Sequence, residues 1–310
     1  MLTAHANLIN HRHPTQGSCS GAPARRDPTS GRLWLSEGPI DLCLDLDGPD
    51  AEMRHAETLA LGAFRGLLDM LVTELPLLRE AVTAQSRCPA GPVAQRMMGA
   101  VCVHLPQFVT PMAAVAGAVA DHLLGAITAG SKLNRAAINN GGDIALYLGK
   151  DARYRIGISD GRQPGPFAGV IDLVESDGVG GIATSGWRGR SHSLGIADAV
   201  TVLAKSAADA DVAATLIANA VNLPDSALII RRPACTLAPD SDLGERSVTV
   251  AVAALSDDDR LRALTAGAAR AKEMVALGRV RAVFLALQGQ VLVVDDGTIP
   301  NARIQQRKEY

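Results

Sequence analysis

The first long helical pattern in the chain begins at Pro49-Asp50. Six apolar residues follow at three- and four-residue steps and so share one helix face: Met53, Ala56, Ala60, Phe64, Leu67 and Leu71. We expect Asp50 to cap this helix, and Pro76 to end or kink it before a continuation over 77–85. Packing accounts for the whole pattern, so no chemistry is expected of it.

Apolar runs of strand length predict most of the other elements. Apolar and acidic residues alternate over Gly38–Asp45, and turn residues cluster at Asn139–Asp143 and Gly161–Pro166. Strands are predicted within AAINNGGDIALYL, RYRIGIS and GVIDLV, near Ala197–Ala204 and Leu228–Ile230, at 247–253, and in a closing hairpin around Gly289. Periodic patterns predict two more helices, over 207–222 and 257–277.

The segment VTPMAAVAGAVADHLLGAI predicts a helix built from small residues. Thr110 can cap it, Pro111 takes the first position, where a missing N–H costs nothing, and Gly130 stops it. Because Ala and Gly have little bulk, another backbone or a ligand can approach closely; tight packing is the favoured use. Asp121 on this helix either faces solvent, the favoured interpretation for a lone residue, or marks a site.

The chain shows no internal repeat and no linker between Pro39 and Pro300. Strands and helices intermingle, which predicts one mixed α/β (α+β) domain over 32–310, with sheets packed by helices. Residues 1–31 are rich in His, Arg, Pro, Ser and Gly and lack the apolar core of a secretory signal. We therefore expect a flexible lead-in there.

Composition narrows the possible function classes. Hydrophobic residues make up 47% of the chain and aromatic residues 3%, so small aliphatic side chains must build the core. A formal charge of −2 and few aromatic rings argue against nucleic-acid binding. The uncharged run 97–120 is interrupted by His104, Pro106 and Pro111, which argues against a membrane span. Five scattered cysteines without a CxxC pair predict reduced thiols and a cytoplasmic protein.

The turn Asn139–Asp143 is the first segment with candidate chemistry. Gly141 and Gly142 permit positive φ and close approach of a ligand to backbone N–H groups. An ordinary hairpin turn has the same sequence, so this segment alone is a weak signal.

The second candidate segment contains Asp211 and Thr215. On a helix these residues lie one turn apart on the same face. A carboxylate with a hydroxyl suits Mg²⁺ that also binds phosphate and water. An acidic residue near the start of a helix is, however, more often a capping or electrostatic residue.

The third candidate segment is GGIATSGWRGRSHSLGIADAVTVLAK, residues 180–205. It combines hydroxyl groups, a glycine and a titratable ring: Thr184, Ser185, Gly186, His192 and Ser193. Arg188 and Arg190 carry charges suited to phosphate. A Ser185-His192-Asp198 triad would make a hydrolase, but the segment lacks a GxSxG elbow, which leaves the triad the weaker interpretation.

These segments resemble the ordered motifs of a known family, the ApbE superfamily. The matching stretches are PMAAVAGAVAD (111–121), NNGGDIALYL (139–148), GIATSGWRGRSHSLGIADAVTVLAK (181–205) and ADVAATLIANAV (210–221). The likeness extends over roughly residues 38–300 and is closest to the cytoplasmic, UPF0280-type branch. It implies a single α/β domain.

The better-known members of that superfamily are FAD:protein FMN transferases, which split FAD with the help of Mg²⁺ and attach FMN to a threonine of an acceptor protein. The resemblance implies that Asp211 and Thr215 bind Mg²⁺ (or Mn²⁺). It also implies that Gly141, Gly142 and Asp143 lie beside the flavin nucleotide, while 184–186 borders its phosphates.

The leading hypothesis is therefore a Mg²⁺-assisted site for FAD or a related phosphorylated ligand, with FMN transfer to an acceptor protein as its activity. His192 is the expected acid/base. The pocket is expected to be lined by Asp121, Gly141, Gly142, Asp143, Thr184, Ser185, Gly186 and Ser193.

Two alternatives stay open. Val115-Ala116-Gly117 stands where the transferases carry Ala-Lys-Gly, and the missing lysine motivates a non-catalytic protein that binds a flavin, nucleotide or metabolite. A hydrolase using Ser185 and His192 is the third hypothesis. A homo-oligomer is compatible with each of them.

Overall fold

The structure is a computed structural model that describes residues 24–161, 169–297 and, by its backbone alone, 304–306. Residues 1–23 of the predicted lead-in lie outside the described residues, as does the predicted turn at Gly161–Pro166 beyond its first residue. Ala24–Arg26, which the sequence assigns to the lead-in, form a strand paired with Leu33–Leu35. The ordered sheet therefore begins earlier than residue 32.

The elements follow one another closely along the chain. The strands are β1 (Ala24–Arg26), β2 (Leu33–Glu37), β3 (Ile40–Asp47), β4 (Arg135–Asn140), β5 (Asp143–Leu148), β6 (Arg153–Ile158), β7 (Gly169–Val174), β8 (Gly181–Ser185), β9 (Ala199–Ala204), β10 (Ile229–Pro233), β11 (Ser247–Val252), β12 (Val280–Leu287), β13 (Gln290–Asp295) and β14 (Ile304–Gln306). The helices are α1 (Asp50–Phe64), α2 (Leu67–Leu78), α3 (Pro92–Cys102), α4 (Val115–Gly130), α5 (Ala207–Ala220), α6 (Ala234–Leu237) and α7 (Asp257–Ala276).

Nine strands form the main sheet in the order β1-β2-β3-β4-β5-β8-β9-β12-β13. Its described pairings are antiparallel throughout. A second sheet holds β14, β7 and β6, and β10 pairs with β11 in a separate ribbon. Sheets packed by helices confirm the mixed α/β class.

Successive side chains along the strands of the main sheet point to opposite faces, and each face packs into its own apolar layer. On one face, Ile138 and Val202 belong to the larger core, which also contains the buried residues of α4, α5 and α7. On the other face, Ile144 and Leu203 pack with Tyr154 and Ile156 of β6. The candidate site residues on β5 and α5 thus stand on a support that is packed from both sides.

The long N-terminal helical pattern divides at a glycine. Gly66 has φ of 71° and separates α1 from α2, whereas the sequence predicts the break at Pro76. Pro76 lies inside α2, which ends two residues later at Leu78. The expected cap is also wrong: Asp50 lies in the first turn of α1, and Pro49 holds the N-cap position without a side-chain bond.

The small-residue helix is a core element. It begins with a 3₁₀ turn, Pro111–Ala114, continues as α4, and ends at Gly130 as predicted. Pro111–Gly130 is long and apolar enough to cross a membrane by length and composition, but half of its apolar stretch is buried inside the protein. Buried helices of water-soluble domains satisfy the same criteria, so this helix is weak evidence for a membrane span.

Helices α4 and α5 cap each other's N-termini. Asp121 of α4 accepts hydrogen bonds from the N–H groups of Ala207 (3.0 Å) and Ala208 (2.9 Å), the first two residues of α5. In return, Asp211 of α5 accepts from the N–H of Gly117 (3.1 Å), near the start of α4. Each carboxylate satisfies backbone donors that a helix cannot satisfy itself.

Close packing at this crossing requires glycine. A Cβ on Gly117 would lie 2.2 Å from the carbonyl oxygen of Ala207, and one on Gly181 of β8 would lie 2.1 Å from the Ala207 nitrogen. Both contacts are with backbone, which cannot move aside as a flexible side chain can. The small residues of α4 therefore serve packing, the use that the sequence favours.

Replacing Asp121 by alanine is expected to destabilise the fold by about 2–4 kcal/mol, because two buried N–H groups of α5 lose their acceptor. The free energy of unfolding from urea titration, followed by circular dichroism, measures the loss. Asp225→Ala, at an exposed loop position, is the control and should change stability by less than about 0.5 kcal/mol. Equal stability of the two variants would contradict the capping role.

His104 makes the fold sensitive to acid. Burial, followed by the charges of Arg279 and Arg270, lowers its pKa to about 4. Between this value and the unfolded pKa near 6.5, the unfolded chain binds a proton that the folded chain excludes. Stability is therefore lost as pH falls from about 6.5 to about 4, by up to roughly 3 kcal/mol.

His104→Gln is expected to flatten this loss. Urea unfolding of both proteins from about pH 7 to about pH 4 measures the difference, since a group that cannot titrate contributes no linked protonation. His55→Gln, which replaces an exposed histidine, is the matched control. Parallel stability curves for His104→Gln and the unaltered protein would refute this source of acid sensitivity.

Candidate functional site

Two carboxylates lie close together where β5 and α5 meet. Asp143 begins β5, and Asp211 lies in the second turn of α5. Burial raises the pKa of Asp143 to about 7, although the Thr184 N–H and the charge of Arg190 act in the opposite direction. The pKa of Asp211 is raised well above its usual range, first by burial and then by the negative charge of Asp143. Two acidic groups that disfavour each other's ionisation form the centre of the site.

The accessible face of α5 carries three polar residues at four-residue steps, Asp211, Thr215 and Asn219. This spacing aligns them along one side of the helix, as the sequence predicts for the first two. Their immediate neighbours along the helix, from Val212 to Ala214 and from Leu216 to Ala218, are buried. The helix therefore offers one polar stripe to the site and packs its other sides.

The glycine turn lies against the starts of both β5 and α4. Gly141 and Gly142 have φ of 66° and 117°, as the sequence predicts for a turn that favours glycine. The Asn139 side chain accepts from the Gly142 N–H at 2.8 Å. The buried Asn140 donates from Nδ2 to the Ala116 carbonyl at 3.1 Å and so ties the turn to α4.

Arg190 lies directly over this turn. A Cβ placed on Gly141 would be 1.8 Å from Nη2 of Arg190 and 3.0 Å from its Cζ. The guanidinium therefore occupies space that any other residue at position 141 would fill.

The end of β8 contributes hydroxyl groups beside the acidic pair. Thr184 bonds through its hydroxyl to Thr201 at 2.8 Å, while its N–H donates to Asp143. Ser185 is partly accessible and pairs with Val200 in the sheet. A Cβ on Gly186 would lie 2.4 Å from the carbonyl oxygen of Asp198, so this glycine permits close backbone packing.

Ser193, predicted to contact the ligand, is tied into its own loop by hydrogen bonds. It is buried, its hydroxyl bonds to Asn219 at 3.2 Å, and it accepts from the Gly195 N–H. Asn219 also accepts from the Leu194 N–H at 2.9 Å. These bonds hold the loop after β8 against the C-terminal part of α5.

His192, the predicted acid/base, is exposed on the same loop. Within the described part of the chain, no hydrogen bond ties its ring to Asp143, Asp211 or Asp198. Its neighbour Ser193 is tied to Asn219 and Gly195, which anchors the backbone beside the histidine.

The triad is not assembled among the described residues. Asp198 is buried, and one of its oxygens accepts from Trp187 Nε1 (3.2 Å) and Arg188 Nε (2.9 Å). The other accepts from the Gln288 N–H at 2.6 Å. With both oxygens engaged in this way, Asp198 secures the loop rather than orienting His192.

Asp121, also predicted to line the pocket, caps the start of α5. Both of its oxygens are bound to the start of α5, and burial raises its pKa. The sequence analysis considers two explanations for a lone acid on an apolar helix, exposure to solvent or a place in a site. The structure adds a third, since Asp121 caps the N-terminus of α5.

The donors present fit a hard divalent cation that shares its ligands with a substrate. The described residues hold no group of three or more His, Cys, Asp or Glu side chains placed to bind a metal. Two carboxylates and the Thr215 hydroxyl supply oxygen ligands only, and Mg²⁺ commonly completes such a set with water and phosphate. A cation would also offset the mutual repulsion of Asp143 and Asp211.

Sequence reasoning missed Asn219, and it included Asn140 in the candidate turn without giving it a role. Asn219 follows Thr215 by the same four-residue step that links Thr215 to Asp211, so extending that period would have found it. Asn140 precedes the paired glycines, but nothing local to it indicates that Ala116 is its partner.

Comparison with known proteins gives a family match over most of the chain. The family described as AbpE bacteria matches residues 24–293. UPF0280 protein MK0206 of Methanopyrus kandleri is 32% identical over 224 residues, which cover 71% of this chain and 86% of the relative. A UPF0280 protein of Methanothrix thermoacetophila is 38% identical over 141 residues, 45% of this chain and 56% of its own length.

Solved structures with detectable similarity include two flavin transferases. The apo form of the flavinyl transferase ApbE from Pseudomonas stutzeri is 14% identical, with a TM-score of 0.37, covering 90% of this chain and 95% of its own. A mutant form of the flavin transferase ApbE from Vibrio cholerae is 13% identical, with a TM-score of 0.41, covering 89% of this chain and 97% of its own.

The match across residues 24–293, together with a relative aligned over 86% of its length, shows that this chain belongs to the ApbE-like, UPF0280-type family.

Proposed function

We propose that this protein binds FAD or a related phosphorylated flavin through Mg²⁺ and transfers FMN from it to an acceptor protein. The observation that carries the proposal is the pair Asp143 and Asp211, two neighbouring, partly buried carboxylates whose pKa values are both raised. Protein folds rarely retain such a pair without a use for it, because each charge disfavours the other. Membership of the ApbE-like family and the ordered motifs support flavin as the ligand.

Each site residue has a role in this proposal. Asp143, Asp211 and the Thr215 hydroxyl would hold Mg²⁺, and the N–H groups of Ala116 and Gly117 orient the Asp211 carboxylate. Bound Mg²⁺ would neutralise charge on phosphate oxygens and on the leaving phosphate. Ser185 and the backbone of the glycine turn would contact the ligand, with His192 as the proton carrier.

Asp211→Asn is expected to weaken Mg²⁺-dependent FAD binding by at least about tenfold, because one anionic metal ligand is lost. The substitution keeps an oxygen that can accept from Gly117, so α4 should stay capped. Calorimetric titration of the purified protein with FAD, with Mg²⁺ and with EDTA, measures the effect. Absence of flavin binding to the unaltered protein in both conditions would refute the proposal.

Asp209→Asn is the matched control for that experiment. Asp209 lies two residues away on the same helix and bonds to Ser206 at the N-cap. The charge change is the same, so a general loss of negative potential would weaken both variants equally. If a metal ligand is lost, only Asp211→Asn should show weaker Mg²⁺-dependent FAD binding.

A non-catalytic binding protein is the second candidate function. It is favoured by Val115-Ala116-Gly117, where no lysine stands and where Gly117 instead donates its N–H to Asp211. Such a protein would bind the flavin and leave it intact.

Release of AMP from FAD separates the two candidates. We expect the protein with Mg²⁺ and FAD to release AMP as water, or an acceptor hydroxyl where one is supplied, attacks the FMN phosphorus. AMP is detected by chromatography, and Asp211→Asn should release it more slowly. Tight FAD binding with no AMP and no covalently flavinylated protein would leave binding as the function and exclude transfer.

A further inference from the structure

Arg190 brings a positive charge to the turn that precedes Asp143. Its guanidinium lies against Gly141, two residues before that carboxylate at the start of β5. The segment at the start of α4, by contrast, contributes backbone N–H groups to Asp211 and no basic side chain. Positive charge therefore reaches the site from the loop after β8.

The guanidinium of Arg190 lies at the turn without a hydrogen bond to another described side chain. It lies where a side chain at Gly141 would be, with Nη2 1.8 Å from that Cβ position. In the part of the chain that the structure describes, no hydrogen bond or ion pair joins it to another side chain. Its N–H donors are therefore available to a ligand.

Arg188 shows the opposite arrangement two residues earlier. Its Nε donates to the buried Asp198 at 2.9 Å, and its guanidinium stacks on Trp187 at 4.4 Å from the ring centre. Arg188 thus ties the loop to Asp198, and its guanidinium is engaged where that of Arg190 is not.

We propose that Arg190 binds the phosphate of the ligand, with Gly141 as the glycine that makes room for it. A guanidinium can bind two phosphate oxygens at once. A phosphate held between Arg190 and a cation on Asp143 and Asp211 would be neutralised from both sides. The inference rests on the proposed function for the flavin part of the ligand, whereas the phosphate contact can be tested without flavin.

Magnesium pyrophosphate is the direct probe, titrated by calorimetry into the whole chain. Arg190→Gln is expected to weaken its binding by about 10- to 100-fold, the effect of losing a charge-assisted contact. Arg190→Lys should restore part of the loss. Arg153→Gln, an exposed arginine on β6, is the control and should match the unaltered protein.

Flavins then test whether the contact serves the proposed ligand. The unaltered protein should bind FMN more tightly than riboflavin, which lacks phosphate, and Arg190→Gln should abolish this preference while leaving riboflavin affinity unchanged. Mn²⁺ alone, followed by electron paramagnetic resonance, should bind Arg190→Gln at least as tightly, because removing a nearby positive charge cannot hinder a cation.

The contact between the Arg190 guanidinium and Gly141 is tested by a double-mutant cycle. Gly141→Ala should weaken pyrophosphate binding in the unaltered chain, because the new methyl group displaces the guanidinium. In the Arg190→Gln background it should add little, since the displaced group is already gone. Thermal unfolding of all four proteins reports the backbone strain separately.

The outcomes discriminate between the two proposals. Equal pyrophosphate affinity of Arg190→Gln and the unaltered protein would overturn the role of Arg190, as would a complete failure of the unaltered protein to bind magnesium pyrophosphate. Normal pyrophosphate binding that depends on Arg190, without any flavin binding, would overturn flavin as the ligand and leave the phosphate contact standing.

Discussion

The reciprocal capping of α4 and α5 is the interaction on which the site depends. Asp121 closes the start of α5 and Asp211 closes the start of α4. Each bond joins residues at least 86 positions apart, so these caps form only where the two helices meet. The backbone contact that Gly117 permits brings the two helix ends together. Both carboxylates also lie where positive helix-end potential favours them, which partly offsets their burial.

The same arrangement places a structural carboxylate at the centre of the proposed chemistry. Asp211 is needed by α4, yet its burial beside Asp143 raises its pKa and makes its charged form costly. A purely structural cap would be better placed away from a second acid. Under the proposed function, a cation held between Asp143 and Asp211 would offset this cost, because it would attract both carboxylates.

Patterns local in sequence predict the elements well and the long-range partners poorly. Strands β4, β5, β9, β12 and β13 of the main sheet, and helices α5 and α7, follow from apolar patterns within single segments, whereas β8 is not predicted as a strand. The break at Gly66 escapes prediction because apolar residues continue at helical spacing on both sides of it. The spacing therefore looks the same as in one unbroken helix. Asp211 and Thr215 can be found because their spacing is local. The role of Asp121 cannot, because its partners Ala207 and Ala208 carry no side-chain signal.

The roles of loop residues depend on tertiary contacts that cannot be predicted from the residue types alone. Ser193 has the hydroxyl that a phosphate site would use, but its contact with Asn219 directs it inward. Arg188 and Arg190 have the same side chain and lie two residues apart, yet only Arg188 meets a buried acid. The difference arises because Asp198 holds one arginine while Gly141 leaves space for the other. A loop arginine can thus bring a positive charge to a site whose helix carries none, because Gly141 leaves space for the guanidinium.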